Sequence, residues 1–334
     1  MRKAGIWGVG RALPERVLTN ADLERMVDTS DEWITTRTGI KERRIAASND
    51  TAADLASEAA KAALADADVT ADEIDMIIVA TVTPDMPFPA TSCLVQAQLG
   101  AQNSAAFDLS AGCSGFIYAL AMAASCIESG LSRRVLVIGV DILSRITDWS
   151  DRTTCVLFGD GAGACVVGPV SRGGILATYM GADGTGGDKL YVPTAYFRYS
   201  PSEGTRPAKK HHIYMAGNEV FKFAVRIMGD ASLEVLRRAG LSSEDIALFI
   251  PHQANIRIID AAAKRLGLSS EHVFVNVHKY GNTSAASIGI ALSEAVDQGR
   301  VNPGDRLVLV GFGAGLTWGA VALEWTGIKE RDLA

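Results

Sequence analysis

The sequence predicts an α/β fold made of two similar βαβαβ halves, and three observations carry that reading. The chain repeats itself at a nearly constant offset, its apolar runs are too continuous for a sheet wetted on one face, and two helical segments are almost free of large or charged residues. The repeat is seen between residues 63–82 (ALADADVTADEIDMIIVATV) and 235–254 (VLRRAGLSSEDIALFIPHQA), which align without a gap at an offset of 172. Ala67 falls on Ala239, Val69 on Leu241, Ile74 on Ile246 and Ile77 on Phe249. The same offset lays Arg134–Gly139 over Arg306–Gly311, and an offset of 169 lays 114–130 (SGFIYALAMAASCIESG) over 283–299 (TSAASIGIALSEAVDQG). Collinear internal matches of this kind mark a duplicated unit.

Taken in order, each half reads strand–helix–strand–helix–strand. The apolar strands suit a sheet covered on both faces. Helices are expected over 51–67, 91–99, 114–129, 217–239, 255–266 and 284–298. The segments 114–129 and 284–298, rich in Ala, Gly and Ser, are expected to be buried on every face at the centre of the molecule. The halves divide after GAGACVVGPV, giving residues 1–170 and 171–334, with a new strand around Gly174–Met180. Residues 181–210, rich in Gly and polar residues, read as an irregular excursion, a lid or a dimer-contact hairpin.

Composition narrows the function classes. A chain of 334 residues with 48% hydrophobic and 21% charged residues is ordinary globular material, and a net charge of −6 argues against nucleic-acid binding. The amino terminus lacks the apolar stretch of a signal peptide, and no apolar run reaches the roughly 18 residues of a membrane helix. Five widely spaced cysteines without a C-x-x-C pair favour free thiols in a reducing compartment, so the cytoplasm is expected, and they offer no zinc site.

Cys113 stands out by position. Phe107-Asp108-Leu109 reads as a strand end, Ser110-Ala111-Gly112 as a tight turn, and Ser114 opens the small-residue helix. Unpaired N–H groups and the dipole at a helix amino terminus favour a thiolate, so a depressed thiol pKa is expected. On position alone, a buried structural cysteine is an equally good reading. Asn282 lies 169 residues after Cys113 and so occupies the same junction in the second half, while His252 follows directly from the strand 246–250. A lone strand-end histidine is more often a packing residue; beside a Cys and an Asn, catalysis becomes the better reading. His211 and His212 read as solvated loop residues, His272 as part of a charged turn, and His278 as a strand residue.

DLSAGCSGF (108–116), PHQANIR (251–257), YGNTSAAS (280–287) and GFGAGLTWGA (311–320), with Asp31–Ile40 and Phe158–Gly163, together resemble β-ketoacyl-[acyl-carrier-protein] synthase III of the thiolase superfamily, over essentially the whole chain. The resemblance implies a thiolase-like, five-layered αβαβα sandwich and a decarboxylative Claisen condensation of an acyl-CoA primer with malonyl-[acyl-carrier protein]. It implies that Cys113 carries the acyl group, that His252 and Asn282 donate hydrogen bonds to the enolate, and that the Cys113 N–H and a backbone N–H at Ala314 form the oxyanion hole, with Phe312 lining the pocket. Trp33, Arg37, Arg152, Gly217 and Asn255 match coenzyme A positions. Gln253, Ala254, Asn255, Ile256 and Arg257 match a carrier-docking segment, flanked by Lys222, Lys264 and Arg265. A homodimer is implied, and no cofactor or metal, acyl-CoA being a substrate. Thr91–Val95, Leu143, Leu157 and Ala195–Phe197 are candidates for the acyl pocket.

Other classes fit less well. A papain-like Cys–His–Asn protease has a bulky aromatic after the cysteine, where Ser114-Gly115 stand here. A non-catalytic subunit would lack Cys113. A starter-unit ketosynthase or acyltransferase of a secondary pathway keeps the fold and stays open.

Overall fold

The computed structural model describes residues 2–193 and 211–327. Nine strands build its two main sheets: β1 (Lys3–Ala12), β2 (Met76–Ala80), β3 (Ala105–Leu109), β4 (Val135–Ile142), β5 (Asp160–Val170), β6 (Gly174–Ala182), β7 (Leu248–Pro251), β8 (Arg306–Gly313) and β9 (Thr317–Glu324). Seven helices are used below: α1 (Asp31–Thr38), α2 (Ala52–Ala67), α3 (Thr91–Leu99), α4 (Gly115–Glu128), α5 (Gly217–Ala239), α6 (Ile256–Leu266) and α7 (Ala286–Asp297).

The first sheet runs β1-β5-β4-β2-β3 and the second β6-β9-β8-β7, so corresponding strands stand in the same order. Parallel pairings (β2 with β3 and β4 in the first sheet, β7 with β8 in the second) adjoin antiparallel ones. The counterpart of β3 in the second sheet is reduced to a single parallel bridge, Phe249 to Val273. Helices α2 and α3 cover the outer face of the first sheet, α4 and α7 lie between the sheets, and α5 and α6 cover the outer face of the second. That is the five-layered αβαβα arrangement.

Strand β4 shows why its sequence is apolar throughout. Val135 and Val137 enter the central core, while Leu136, Ile138 and Val140 enter the core under α2. Both faces are dry, so no polar alternation survives. Helix α7 is buried from Ala286 to Ala295. Helix α4 departs from the expectation of burial on every face: Met122, Ser125 and Glu128 are exposed along one stripe. The core contacts of α4 are on its other side, through Phe116, Ile117, Leu120 and Ile127.

Within the excursion 181–210, only residues 181–193 are described; they hold a short strand, Leu190–Tyr191, paired with Tyr214–Met215. The candidate pocket residues Ala195–Phe197 lie outside the described residues. His278 is not in a strand; it sits in a single helical turn, Val277–Tyr280.

Candidate active site

Cys113 occupies a tight 3-10 turn, Gly112–Ser114, between β3 and α4. The turn is clamped from the second half. Ser114 Oγ lies 2.7 Å from Ala111 O and 2.8 Å from Thr317 Oγ1, which donates to Ala111 O at 2.7 Å. The two chains approach so closely that side chains are excluded: a Cβ on Gly112, whose φ is +56°, would lie 2.6 Å from Ala314 N, and one on Gly313 would lie 2.3 Å from Cys113 N. The backbones around residues 113 and 314 are thereby held in close approach.

The environment of Cys113 runs against the expected depressed pKa. Burial pushes the Cys113 thiol up to about 12; a hydrogen bond from Ser284 opposes this and the Asp141 carboxylate adds to it. Enclosure of the sulfur and a buried carboxylate nearby both disfavour the thiolate. Asp141 is itself fully buried, where its Oδ1 accepts from Val82 N–H at 2.8 Å and Thr83 N–H at 3.2 Å, and its Oδ2 from Ala285 N–H at 3.1 Å. Ser284 holds a left-handed backbone, φ +51°, at the cavity wall. The sequence reading assigns a role to neither residue.

Asn282 is fixed at both ends. Its N–H donates to Leu157 O at 2.8 Å and its carbonyl accepts from Gly159 N–H at 3.0 Å, so the Phe158–Gly163 motif of the first half positions a residue of the second. Its side-chain Oδ1 accepts from Ser284 N–H at 2.9 Å, which assigns Nδ2 as the available donor.

His252 follows β7 and donates its backbone N–H to Val310 O at 2.8 Å. The ring is 1% exposed, edge-on to Phe312 with centroids 5.4 Å apart. Burial pulls the imidazole down to about 3, so it is neutral at physiological pH. Nδ1 lies 2.6 Å from Ser287 Oγ, while Nε2 is buried without a hydrogen-bond partner. An orphaned buried donor is costly unless a substrate completes it.

From Cys113, Ser284 and Ala314 an apolar cavity of about 190 Å³ opens between Val82, Leu143, Ile146, Phe158, Leu190 and Ile213. Of the proposed pocket residues Leu143 lines it; Thr91–Val95 and Leu157 do not. The other lining residues come from segments that the sequence gives no reason to join.

A second cluster lies around α1 and the amino terminus of α6. Arg37 and Arg152 place guanidinium carbons 6.0 and 5.4 Å from the Trp33 ring centroid, and Arg152 donates to Asp28 O at 2.7 Å. Asn255 caps α6, accepting from Arg257 N–H at 2.9 Å, and donates to Arg37 O at 3.0 Å. Arg257 sits 5.0 Å from the Phe221 ring, one turn from exposed Gly217. Of the docking segment, Ile256 is half-buried and Arg257 exposed, but Gln253 and Ala254 are buried. Gln253 donates to Pro251 O and Phe274 O and accepts from Asn276 N–H and Val277 N–H, so its amide is spent inside the fold. Arg265 is paired with Asp230, which leaves Lys222, Arg257 and Lys264 as the basic residues without an ion pair among those proposed. Among the described residues no group of three His, Cys, Asp or Glu side chains could hold a metal ion.

This geometry accords with the comparisons. The profile of 3-oxoacyl-[acyl-carrier-protein (ACP)] synthase III matches residues 107–184, and that of its C-terminal part matches residues 236–325. A β-ketoacyl-[acyl-carrier-protein] synthase III of Caldanaerobacter subterraneus subsp. tengcongensis is 60% identical, covering 97% of this chain and 98% of the relative. The chain belongs to the β-ketoacyl-[acyl-carrier-protein] synthase III family. A synthase III structure from Thermus thermophilus is 54% identical with a TM-score of 0.91, covering 97% of this chain and 99% of that one. The priming β-ketosynthase of the R1128 polyketide pathway is 41% identical with a TM-score of 0.90, covering 97% of each chain. Membership confirms the thiolase-like fold expected of two matched halves. No described helix is long and apolar enough to cross a membrane.

Proposed function

We propose that Cys113, His252 and Asn282 carry out the synthase III reaction in this chain, the condensation of an acyl-CoA primer with malonyl-[acyl-carrier protein]. The single observation that carries the assignment is the buried, unpartnered Nε2 of a neutral His252, built into the half opposite Cys113. The Cys113 sulfur attacks the primer thioester as its proton is lost; the backbone N–H groups of Cys113 and Ala314 receive the developing oxyanion, the thioester C–S bond breaks, and coenzyme A leaves as the thiol, taking up the equivalent proton. Malonyl-carrier protein then loses CO2. The bonding electrons pass to the enolate, whose oxygen takes hydrogen bonds from His252 Nε2 and Asn282 Nδ2. Its carbon attacks the acyl-Cys carbonyl, the C–S bond breaks, and the released Cys113 thiolate takes up a proton from solvent. Phe312 keeps the His252 ring in place and the site dry.

Trp33, Arg37 and Arg152 offer an indole face and two cations for an adenine nucleotide, with Asn255 and Gly217 along the route inward. Exposed Arg257, with Lys222 and Lys264, supplies the basic face that an acidic carrier requires. A homodimer is supported by β3, an edge strand whose Phe107 is 40% exposed, and by Phe88, 84% exposed on the loop entering α3. Five free cysteines support a cytoplasmic enzyme. Starter-unit synthesis in a secondary pathway is the second reading, favoured by the likeness to the R1128 priming enzyme.

A panel of acetyl-, isobutyryl- and longer acyl-CoAs with malonyl-carrier protein tests the function. Formation of a β-ketoacyl-carrier product with at least one primer is expected; failure with every primer overturns the reading.

A further inference from the structure

A neutral imidazole carries one proton, and which nitrogen holds it decides whether His252 gives a hydrogen bond or takes a proton. The structure bears on that choice through a residue outside the Cys–His–Asn set. Ser287, in the first turn of α7 and 2% exposed, places its hydroxyl 2.6 Å from His252 Nδ1. The backbone N–H of Gln253 approaches the same oxygen at 3.4 Å. Among the described residues the Ser287 hydroxyl has no carbonyl or carboxylate to donate to, so Nδ1 is the only acceptor within its reach. Were Nδ1 protonated, it and Gln253 N–H would both point at Ser287 Oγ, and the hydroxyl proton would be stranded in the core. Nε2 would then present a bare lone pair to the site.

We propose that Ser287 is the positioning residue that holds His252 in the tautomer protonated on Nε2, so that His252 enters the reaction as a hydrogen-bond donor and not as the base for the Cys113 proton. The support around it is rigid. The Gln253 side chain ties the loop to Pro251, Phe274, Asn276 and Val277, and the ring is held edge-on by Phe312. One helix start thus does two jobs: Ser284 N–H orients the Asn282 amide, and Ser287 one turn later sets the His252 proton. Both donors face the oxygen of the same enolate, and no proton is transferred when the malonyl C–C bond breaks and CO2 leaves.

The inference rests on His252 acting at the malonyl step, and a measurement on the free enzyme separates the two. In the native enzyme with 15N-labelled histidine, the His252 resonances are expected to show a protonated Nε2 and a bare Nδ1. In Ser287→Ala the Nδ1-protonated form should appear. CO2 release from malonyl-carrier protein should fall by about 100-fold, the scale of losing one oxyanion donor, while acylation of Cys113 by acyl-CoA stays within about threefold. A native His252 protonated on Nδ1 would overturn the proposal, as would a Ser287→Ala enzyme with an unchanged tautomer or with both half-reactions slowed alike. A correct tautomer without any condensation would instead indict the wider functional reading.

Discussion

Replacing Gly313 by Ala probes the contact that builds the oxyanion hole. The added Cβ would lie 2.3 Å from Cys113 N, 3.0 Å from Gly112 C and 3.1 Å from Ser114 N, all backbone atoms that cannot rotate away. Ordinary carbon contact begins near 3.4 Å, so the turn carrying the nucleophile must retreat by about 1 Å, a misplacement that costs about 100-fold in rate. Overpacking should lower stability by about 1–3 kcal/mol. The assay is single-turnover acylation of Cys113 from acyl-CoA, followed by intact-protein mass spectrometry, with thermal melting in parallel. Gly184→Ala is the control, because nothing lies within 4 Å of its added Cβ and its φ is not in the left-handed region. Acylation of Gly313→Ala within about threefold of native, at a native melting temperature, would refute the reasoning that this close approach positions the nucleophile.

Three further outcomes follow from the same geometry. Because burial lowers the His252 pKa from 6.5 to about 3, the unfolded chain binds more protons than the folded one between those values, so stability should fall as pH drops below 6.5; urea unfolding at pH 7 and pH 5 should show that slope flattened in His252→Asn. The Cys113 thiol, pushed up to about 12, should alkylate slowly with iodoacetamide at pH 7 and steadily faster up to pH 9, whereas a rate already level at pH 7 would restore the low-pKa thiolate. Arg257→Glu should weaken use of malonyl-carrier protein by about tenfold while sparing acyl transfer from coenzyme A, since a rim charge acts on encounter with an acidic partner; equal losses would remove Arg257 from docking.

Much of this arrangement was legible in the sequence, for definable reasons. The strands of β2, β4, β7 and β8 were visible because their two-sided burial forces continuous apolar runs, and the duplication showed because turns such as 67–74 and 239–246 preserve their spacing. The junctions at Cys113 and Asn282 were visible for the same reason. What failed was whatever depends on contacts distant in sequence. Enclosure pushes the Cys113 thiol up, a hydrogen bond from Ser284 opposes it, and Asp141, 28 residues away, adds to the rise. Gln253 and Ala254 match a carrier-docking segment by resemblance, yet β7 ends inside the molecule and the Gln253 amide is consumed there. The cavity wall joins Leu143, Leu190 and Ile213, and no local pattern announces such a meeting. Ser287 is one small residue among many in α7; its place one turn beyond Ser284 of the YGNTSAAS motif is the available signal.

The central claim is that Cys113 holds the acyl group between two half-reactions. Intact-protein mass spectrometry after mixing with acyl-CoA alone should show one acyl adduct, mapped by peptide digestion to Cys113 and absent in Cys113→Ala. Adding malonyl-carrier protein should then discharge the adduct, with one CO2 and one β-ketoacyl-carrier product for each adduct lost. An adduct on another residue, or one on Cys113 that malonyl-carrier protein leaves in place while product still forms, would contradict it.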